Sequence, residues 1–277
     1  MMEVEFMRNN PIAVKVNCYK GFSFQQMIDG ISKAGFTKLE LSASKGNNAG
    51  LSTNSTPEQL DQLVKQLNEK GLSPFSFGGR MSLLDDSDID GFIKKLQIAH
   101  YLQCKYVVCS VDDVHLYDGP VVSGEEVAKA AEKYIPYLRE YGLQLNIELH
   151  GKYSTGKQVA QICKASDPEL IKVNYDTGNA LYWAGLSTEQ MLDDLRQSVD
   201  MVGYMHMKDT LAENNEWNFP AIGKGYMPFD EVFEIIGEDI PLIVEIEYTD
   251  KGISDVKEAD QALMDSAAFL KEKGFTL

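Results

Sequence analysis

Short β-rich segments and amphipathic helical segments alternate along this chain, and the alternation occurs eight times. The predicted strands occupy 11–18, 38–42, 72–79, 105–111, 143–150, 171–176, 202–209 and 241–248. Helical segments between them place apolar residues three or four positions apart, as Leu60, Leu63, Val64 and Leu67 do before Gly71. Strand–helix units repeated eight times, at a spacing of roughly 25 to 40 residues, are typical of an α/β protein with a (β/α)8 TIM barrel.

A doubly wound open sheet is the alternative, because it uses the same strand–helix units. No GxGxxG segment follows the first predicted strand, which removes the usual dinucleotide-binding form of that sheet. No linker rich in proline or serine, charge block or low-complexity run divides the chain. One-domain barrels commonly reach about 250 residues, so residues 1–277 are predicted to form a single TIM-barrel domain.

Polar and apolar residues alternate near the C-terminal ends of the last four predicted strands. In 202–209, His206 and Lys208 share one face while Met205 and Met207 share the other, because residues i and i+2 of a strand point the same way. The same pattern places on one face Asn146, Glu148 and His150, then Asn174 and Asp176, then Glu245 and Glu247. Helices cover the outside of a barrel, so these polar faces are expected to line its interior at the end where active sites lie.

Three carboxylates and one imidazole are therefore expected to meet inside the barrel: Glu148, Asp176, His206 and Glu245. Any one of them alone is more often a salt-bridged or hydrogen-bonded residue, but their shared parity and position favour a common site. Buried carboxylates repel one another and lose hydration, so a divalent cation is the economical way to neutralise them. Hard oxygen ligands with one imidazole and no thiolate favour Mn, Mg or Co. Catalytic zinc is the alternative, and a closed structural zinc site is disfavoured.

The segments IELHG, NYDTGN, HMKD followed by WNFPAIGKG, and IVEIE resemble the xylose isomerase-like sugar phosphate isomerase/epimerase superfamily. Its members include ketose 3-epimerases, hydroxypyruvate isomerase, inosose dehydratase and endonuclease IV-like enzymes. The resemblance covers the whole chain and is strongest from the fifth strand onward, but it does not specify a substrate. It implies that Glu148, Asp176, His206 and Glu245 bind one divalent metal ion, with Glu247 as the alternative to Glu245.

The resemblance implies a divalent-metal-dependent isomerase or epimerase of a small sugar, sugar phosphate or hydroxy-keto compound. Glu148 or Glu245 would remove a proton beside the metal-bound carbonyl to give a metal-stabilised enediolate, and the other catalytic carboxylate would return a proton. A metal-dependent dehydratase of the inosose or dehydroshikimate type is the alternative on the same scaffold. A non-enzymatic sugar-binding protein is a weaker alternative.

An endonuclease IV-like nuclease is disfavoured on two grounds. The formal net charge of −16 would repel a phosphate backbone, so no nucleic-acid partner is predicted. Asn179 stands where many relatives carry a histidine three residues after the metal-binding aspartate, and the nuclease branch uses several additional histidines. Asparagine can bind a substrate hydroxyl but cannot carry protons between groups.

Seven residues are predicted to bind substrate at the barrel mouth: His150, Asn179, Lys208, Glu247, Arg80, Trp183 and Trp217. Lys208 would hold a substrate oxygen or phosphate, or would pair with a neighbouring acid, and the sequence leaves both interpretations open. Arg80 would clamp an anion. Trp183 and Trp217 would stack on a sugar face or pack in the ordinary way.

The expected setting is the cytoplasm. The N-terminal segment MMEVEFMRNN lacks the charge and apolar pattern of a signal peptide, and no apolar run approaches the ~20 residues that span a bilayer. Cys18, Cys104, Cys109 and Cys163 have no CxxC spacing, so they are predicted to be reduced, buried thiols. The expected partner is a small carbohydrate, with no membrane partner, and a homo-oligomer is left open.

Overall fold

Eight parallel strands close into a barrel in the computed structural model, which describes residues 7–44, 48–79, 81–112, 121–211, 217–248 and 253–277. The strands are β1 (Ile12–Lys15), β2 (Lys38–Ser42), β3 (Ser73–Gly78), β4 (Tyr106–Cys109), β5 (Gln144–Glu148), β6 (Ile171–Asp176), β7 (Val202–Met207) and β8 (Leu242–Val244). The ring closes where β8 pairs with β1, with Ile12 opposite Leu242 and Val14 opposite Val244. The predicted (β/α)8 barrel is confirmed, and the open sheet is excluded.

Ten α-helices lie among these strands in the described residues. They are α1 (Phe24–Ala34), α2 (Pro57–Asn68), α3 (Ile89–Tyr101), α4 (Gly124–Glu132), α5 (Ile135–Tyr141), α6 (Gly156–Ala165), α7 (Thr177–Tyr182), α8 (Thr188–Ser198), α9 (Phe229–Ile236) and α10 (Val256–Glu272). Short 3-10 helices cover Val16–Tyr19, Asp86–Asp88 and Val199–Met201. Within the described ranges, no helix is both long enough and apolar enough to cross a membrane.

The helix starts follow from local sequence. Ser23, Thr56, Ser123 and Ser187 each cap a helix, and a Gln or Glu three residues later returns a hydrogen bond to the cap backbone. This reciprocal capping box satisfies N–H groups that the first helical turn leaves without partners. The helices therefore begin at positions the sequence specifies.

Two strands are shorter than predicted. The predicted strand 11–18 is regular only over β1, because Val16–Tyr19 turns into a 3-10 helix. The predicted strand 241–248 is regular only over β8. Beyond β8, Glu247 pairs with Phe219 instead of continuing the barrel ladder. Both strands therefore end in irregular backbone at the barrel mouth, where side chains can turn toward a site.

The strand faces divide as their parity predicts. Met205 and Met207 join the main hydrophobic core, whereas Tyr204 belongs to a separate cluster with Ala13, Tyr106, Val108 and Ile243. Ala13, Tyr204 and Ile243 each come two residues before a polar residue on the same strand face: Lys15, His206 and Glu245. The inner cluster thus fills the barrel below a polar layer at the C-terminal ends of the strands.

Candidate metal centre

The four residues predicted as metal ligands meet at the C-terminal end of the barrel. Glu148 ends β5, Asp176 ends β6, His206 lies in β7, and Glu245 directly follows β8. The register places Asp176 opposite His206. One ligand atom from each of the four lies within 4.8 Å of the corresponding atom of every other. The fold therefore brings the four together, and their role as ligands remains a prediction.

Three carboxylate oxygens surround the Nδ1 atom of His206. Glu245 Oε2 lies 2.9 Å from it, Glu148 Oε1 3.0 Å and Asp176 Oδ2 3.8 Å. Adjacent corners of an octahedron with metal–ligand bonds of about 2.1 Å are about 3.0 Å apart. The spacing of these atoms therefore suits a divalent cation bound among them.

Two of these oxygens are buried without a hydrogen bond from any residue that the structure describes. They are Asp176 Oδ2 and Glu245 Oε2. Charged groups lie near both: Lys208 Nζ is 3.1 Å from Asp176 Oδ2, and His206 Nδ1 is 2.9 Å from Glu245 Oε2. A buried carboxylate oxygen without a hydrogen bond is costly, and a divalent cation would lower that cost. The donor set and these two oxygens therefore fit a divalent metal ion.

In two of the predicted ligands, Asp176 and Glu245, protein groups hold the carboxylate oxygen that does not face His206 Nδ1. Asp176 Oδ1 accepts the backbone N–H of Asn179 at 2.9 Å. Glu245 Oε1 accepts the amide of Asn17 at 2.9 Å and lies 2.8 Å from the Lys15 ammonium. These contacts leave the second oxygen of each carboxylate directed at the common position, as partners behind a metal ligand do in proteins.

Lys15 and Glu40 belong to the site, although sequence analysis did not select them. Lys15 on β1 lies 3.8 Å from Glu148 Oε1 as well as near Glu245, and Glu40 on β2 lies 3.0 Å from His206 Nε2. A signal was present, because each shares the inner parity of its strand: Lys15 follows Ala13 on β1, and Glu40 lies between the outward Leu39 and Leu41 of β2. It was weaker than on the last four strands, where the polar pattern is denser.

The protein supplies cations of its own to the site, and sequence analysis anticipated this only as one interpretation of Lys208. Two lysines, Lys15 and Lys208, enter the cluster of acids formed by Glu40, Glu148, Asp176, Glu245 and Glu247. The acids still outnumber the lysines among these residues, so negative charge remains to attract a divalent cation. The lysines also stay charged. Burial lowers the pKa of Lys208, but Asp176, Glu245 and Glu247 raise it well above its ordinary value.

The catalytic candidates are ionised in this environment. Burial raises the pKa of Glu148, but Lys15 and His206 outweigh burial and hold that pKa far below its ordinary value. Glu245 behaves in the same way, with Lys15 and Lys208 as the main cations that lower its pKa. For His206, burial and Lys15 lower the pKa, but Glu40, Glu245 and Glu148 raise it well above the usual value. A metal bound at Nδ1 would therefore displace a proton.

Lys208 is paired with acids at the barrel mouth. Its Nζ lies 3.1 Å from Asp176 Oδ2 and 2.7 Å from Glu247 Oε2, and it donates to Asn179 Oδ1 at 3.3 Å. The rings of Trp217 and Phe219 lie 5.5 Å and 5.1 Å from the same ammonium. Lys208 thus pairs with neighbouring acids, which is one of its two sequence interpretations. The other, a contact with substrate, stays a prediction.

Two more predicted substrate contacts are engaged with the protein. Asn179 donates its side-chain amide to Leu149 O at 2.8 Å, so it ties α7 to the end of β5. Glu247 Oε1 accepts the Asn17 amide at 3.1 Å, so this carboxylate lies beside Glu245 rather than among the four clustered ligands.

The aromatic candidates form one group at the mouth. The Trp183 ring lies 5.1 Å from the His150 ring and 4.9 Å from the Tyr182 ring, and the Trp217 ring lies 5.1 Å from the Tyr182 ring. The group could offer an apolar wall to a small polar substrate. Arg80 lies outside the described residues, so its predicted role as an anion clamp has no structural description.

Asp209 is a further residue that sequence analysis quoted without giving it a role. Its buried carboxylate accepts four backbone N–H groups, those of Thr210, Gly223, Gly225 and Met227, at 2.8 to 3.0 Å. Asp209 therefore fixes the segment that carries Phe219 and the GKG sequence onto the end of β7. The GKG glycines serve this turn.

Comparison with known families identifies the barrel. A family model described as xylose isomerase-like TIM barrel matches residues 28–273. Among individual relatives, the inosose dehydratase of Bacillus cereus (strain AH820) is 26% identical over 247 residues, which cover 77% of this chain and 78% of that protein.

Two solved structures share the fold. D-psicose 3-epimerase in the presence of D-fructose superposes with a TM-score of 0.75 at 16% identity, over 95% of this chain and 99% of the epimerase chain. The IOLI protein with a binding zinc atom superposes with a TM-score of 0.76 at 15% identity, over 96% of this chain and 100% of its own. At these identities the two superpositions establish the architecture.

Proposed function

The chain belongs to the xylose isomerase-like TIM barrel family, and from that membership we propose that it is a divalent-metal-dependent isomerase or epimerase. Its substrate would be a small sugar, sugar phosphate or hydroxy-keto compound. One observation carries the proposal: two ionised carboxylates, Glu148 and Glu245, approach a single imidazole nitrogen at 3.0 Å and 2.9 Å in the polar end of the barrel. The enzymes named among the relatives support an enzymatic role in general.

Glu148, Asp176, His206 and Glu245 would hold one divalent ion. The oxygen-rich donor set favours Mn, Mg or Co, and the zinc of a structural neighbour keeps zinc as the alternative. When bound, the ion would supply Lewis acidity that polarises a substrate carbonyl and acidifies the neighbouring C–H.

The chain's own carboxylates would move the proton. Glu148 and Glu245 lie on β5 and at the end of β8, so they approach the site from well-separated strands. Glu148 is the more accessible of the two, with 15% of its side chain exposed against 1% for Glu245. We assign the first proton abstraction to Glu148. Glu245 is ionised, so it would first take up a proton from solvent and then return it on the other side of the substrate, while Glu148 would release its proton to solvent. Return to the same carbon gives epimerisation, and return to the adjacent carbon gives isomerisation.

The rim of the barrel would bind and orient the substrate. Trp183 and Trp217 would cover its apolar face, while His150, Asn179, Glu247 and Lys208 would contact hydroxyl groups. Lys208 would contact a hydroxyl while it also orients the carboxylates of Asp176 and Glu247, with which it pairs. We expect the protein to work in the cytoplasm on a small carbohydrate, without a nucleic-acid or membrane partner.

A dehydratase is the second candidate, favoured by the inosose dehydratase relative. Its 26% identity is higher than that of either superposed structure. In this reaction the same carboxylates would remove a proton beside a carbonyl, and a β-hydroxyl would leave as water. The two candidates share the first step and differ in the product.

The experiment uses protein purified without chelator or metal-affinity resin, loaded with Mn²⁺, and incubated with a panel of ketoses and inososes in D₂O. Nuclear magnetic resonance would detect exchange of the C–H beside the carbonyl and identify the product. An epimer or aldose supports the first proposal, whereas a product lighter by one water supports the second.

A Glu148→Gln, Asp176→Asn double variant is the control, and it should lose both exchange and about one bound divalent ion per chain. Wild-type protein that binds no divalent ion, even after soaking in Mn²⁺ or Co²⁺, would refute both candidates. In that case, the charged interior would be an ion-pair network.

A further inference from the structure

Glu40 lies on the opposite side of the His206 ring from the three carboxylates that surround Nδ1. Glu40 Oε1 accepts a hydrogen bond from His206 Nε2 at 3.0 Å, and both side chains are buried. We propose that Glu40 is a positioning residue that keeps the proton of His206 on Nε2 and turns the lone pair of Nδ1 toward the metal position. The inference rests on the metal-dependent function proposed above and adds a residue from β2 to a site drawn from β5 to β8.

Glu40 is itself held rigidly. Its Oε2 atom accepts the hydroxyl of Ser76 at 2.8 Å and the phenol of Tyr204 at 3.0 Å. With Oε1 on His206, both oxygens of the buried carboxylate have donors. Because two hydroxyl donors hold Oε2, Oε1 is left to accept the N–H of His206 Nε2. Ser76 and Tyr204 therefore aim Glu40 at Nε2.

Glu40 cannot be an additional ligand at the same position. Nδ1 and Nε2 point in different directions from the imidazole ring, and Glu40 faces Nε2 while Glu148 and Glu245 face Nδ1. The ring therefore separates Glu40 from the converging ligand atoms. Its contact with the metal would run only through the imidazole.

Asn174 fixes the backbone of His206 beside the same site. Its Oδ1 accepts the backbone N–H of His206 at 3.0 Å, and its Nδ2 lies 3.0 Å from His206 Nδ1. Nδ1 also lies within 3.0 Å of Glu148 Oε1 and Glu245 Oε2, so without a metal ion it donates a proton to these carboxylates. A metal ion bound at Nδ1 would displace that proton, and the one proton left on the ring would belong on Nε2, where Glu40 receives it. A metal-binding histidine whose other nitrogen donates to a carboxylate is a stronger and better-oriented ligand.

The test reads the proton positions of His206 directly. The chain has only four histidines, so ¹⁵N-histidine labelling gives a simple long-range ¹H–¹⁵N spectrum of the full-length protein. In the Zn²⁺-loaded protein we expect the His206 signals to show a protonated Nε2 and a metal-shifted Nδ1. Metal bound through Nε2, or a proton on Nδ1, would overturn the proposal. This measurement needs no variant, so it stands even if a substitution prevents folding.

Variants test whether Glu40 causes this arrangement. Glu40→Leu removes the acceptor and should weaken Mn²⁺ binding about 10- to 100-fold, measured from the electron paramagnetic resonance of free Mn²⁺. Glu40→Gln keeps an acceptor oxygen and should lose less affinity and retain the Nε2 proton. Val108→Ala removes packing from the inner cluster that contains Tyr204 but takes away no hydrogen bond of Glu40, so it should bind Mn²⁺ within a few-fold of the wild type.

The outcomes separate this inference from the proposed function. Wild-type protein that binds no Mn²⁺ refutes the function, and this inference falls with it. If the wild type binds Mn²⁺, and Glu40→Leu binds it with the same affinity and gives the same His206 spectrum, only the role of Glu40 is refuted. An equal loss in Val108→Ala and Glu40→Leu would also refute it, because general damage to the pocket would then explain the effect.

Discussion

The Lys208 ammonium lies 3.1 Å from Asp176 Oδ2, the same oxygen that faces His206 Nδ1 across the proposed metal position. A fixed cation and a prospective metal ion therefore share one carboxylate. Lys208 neutralises the acids while the metal is absent, and its positive charge opposes the metal when it binds. The affinity of the site is thus a balance that this lysine helps to set.

Replacement of Lys208 by methionine should change stability and metal affinity in opposite directions. Removing one partner from a buried charge cluster costs about 3–5 kcal/mol, so the free energy of unfolding without metal should fall by that order. Mn²⁺ should bind more tightly, because a repelling charge is gone. Urea denaturation and Mn²⁺ titration measure the two effects.

Lys224→Met is the matched control for Lys208→Met. Lys224 forms an exposed pair with Asp265 at 3.4 Å, and such pairs contribute about 0–1 kcal/mol. Its loss should leave Mn²⁺ affinity unchanged. Weaker Mn²⁺ binding in Lys208→Met would contradict the opposition between the two cations.

Glu245 and Glu247 should respond differently to the same substitution. Glu245→Gln removes an oxygen that lies 2.9 Å from His206 Nδ1, so Mn²⁺ binding should weaken by at least an order of magnitude. Glu247→Gln should leave Mn²⁺ affinity within a few-fold, because Glu247 pairs with Lys208 and Asn17 instead. Isothermal titration of both variants compares them directly. If Glu247→Gln weakened Mn²⁺ binding more than Glu245→Gln did, Glu247 would be the ligand.

Sequence alone predicted the barrel and brought four of the site residues to attention. Parity brought Glu148, Asp176, His206 and Glu245 together because each lies near the C-terminal end of a strand whose other face is plainly apolar. Inside a barrel this alternation determines which side chains meet, whatever the detailed packing. That is why the short strand β8 still places Glu245 beside the other three.

The partners of those residues were harder to predict. The contact between Glu40 and His206 joins positions 166 residues apart, and no local pattern states which charge on β2 will face which ring on β7. In the sequence, Lys15 is a single charged residue in an apolar strand, and a solvated strand end gives the same pattern. Closure of the ring between β1 and β8 places Lys15 beside Glu245, so its role depends on tertiary structure.

Asp209 should contribute more to stability than an ordinary capping aspartate. Asp209→Ala would leave four N–H groups around it without their acceptor. Since an unsatisfied buried donor costs about 1–3 kcal/mol, the free energy of unfolding should fall by more than about 3 kcal/mol. Asp255→Ala is the control: among the residues that the structure describes, that side chain accepts only the Lys257 N–H at the start of α10, so the expected loss is about 1 kcal/mol. Equal losses in urea denaturation would contradict the anchoring role.

Gly178 should tolerate no side chain, because α7 begins directly against β7. Thr177 donates its hydroxyl to Lys208 O at 2.8 Å and accepts the Lys208 N–H at 2.9 Å, which fixes the two elements together. A methyl group on Gly178 would lie 2.7 Å from Lys208 Cβ and 2.8 Å from a Phe219 ring carbon. Gly178→Ala should therefore lower the free energy of unfolding by about 1–3 kcal/mol.

The same substitution should also weaken Mn²⁺ binding, since it pushes Lys208 and α7 apart beside Asp176. Gly124→Ala, at the start of α4, is the matched control, because the added carbon would meet Ile162 at an ordinary 3.5 Å. It should leave both stability and Mn²⁺ affinity essentially unchanged. If Gly178→Ala lost stability but bound Mn²⁺ like the wild type, the position of α7 would matter for packing and not for the geometry of Asp176. The metal position would then be set by the strands alone.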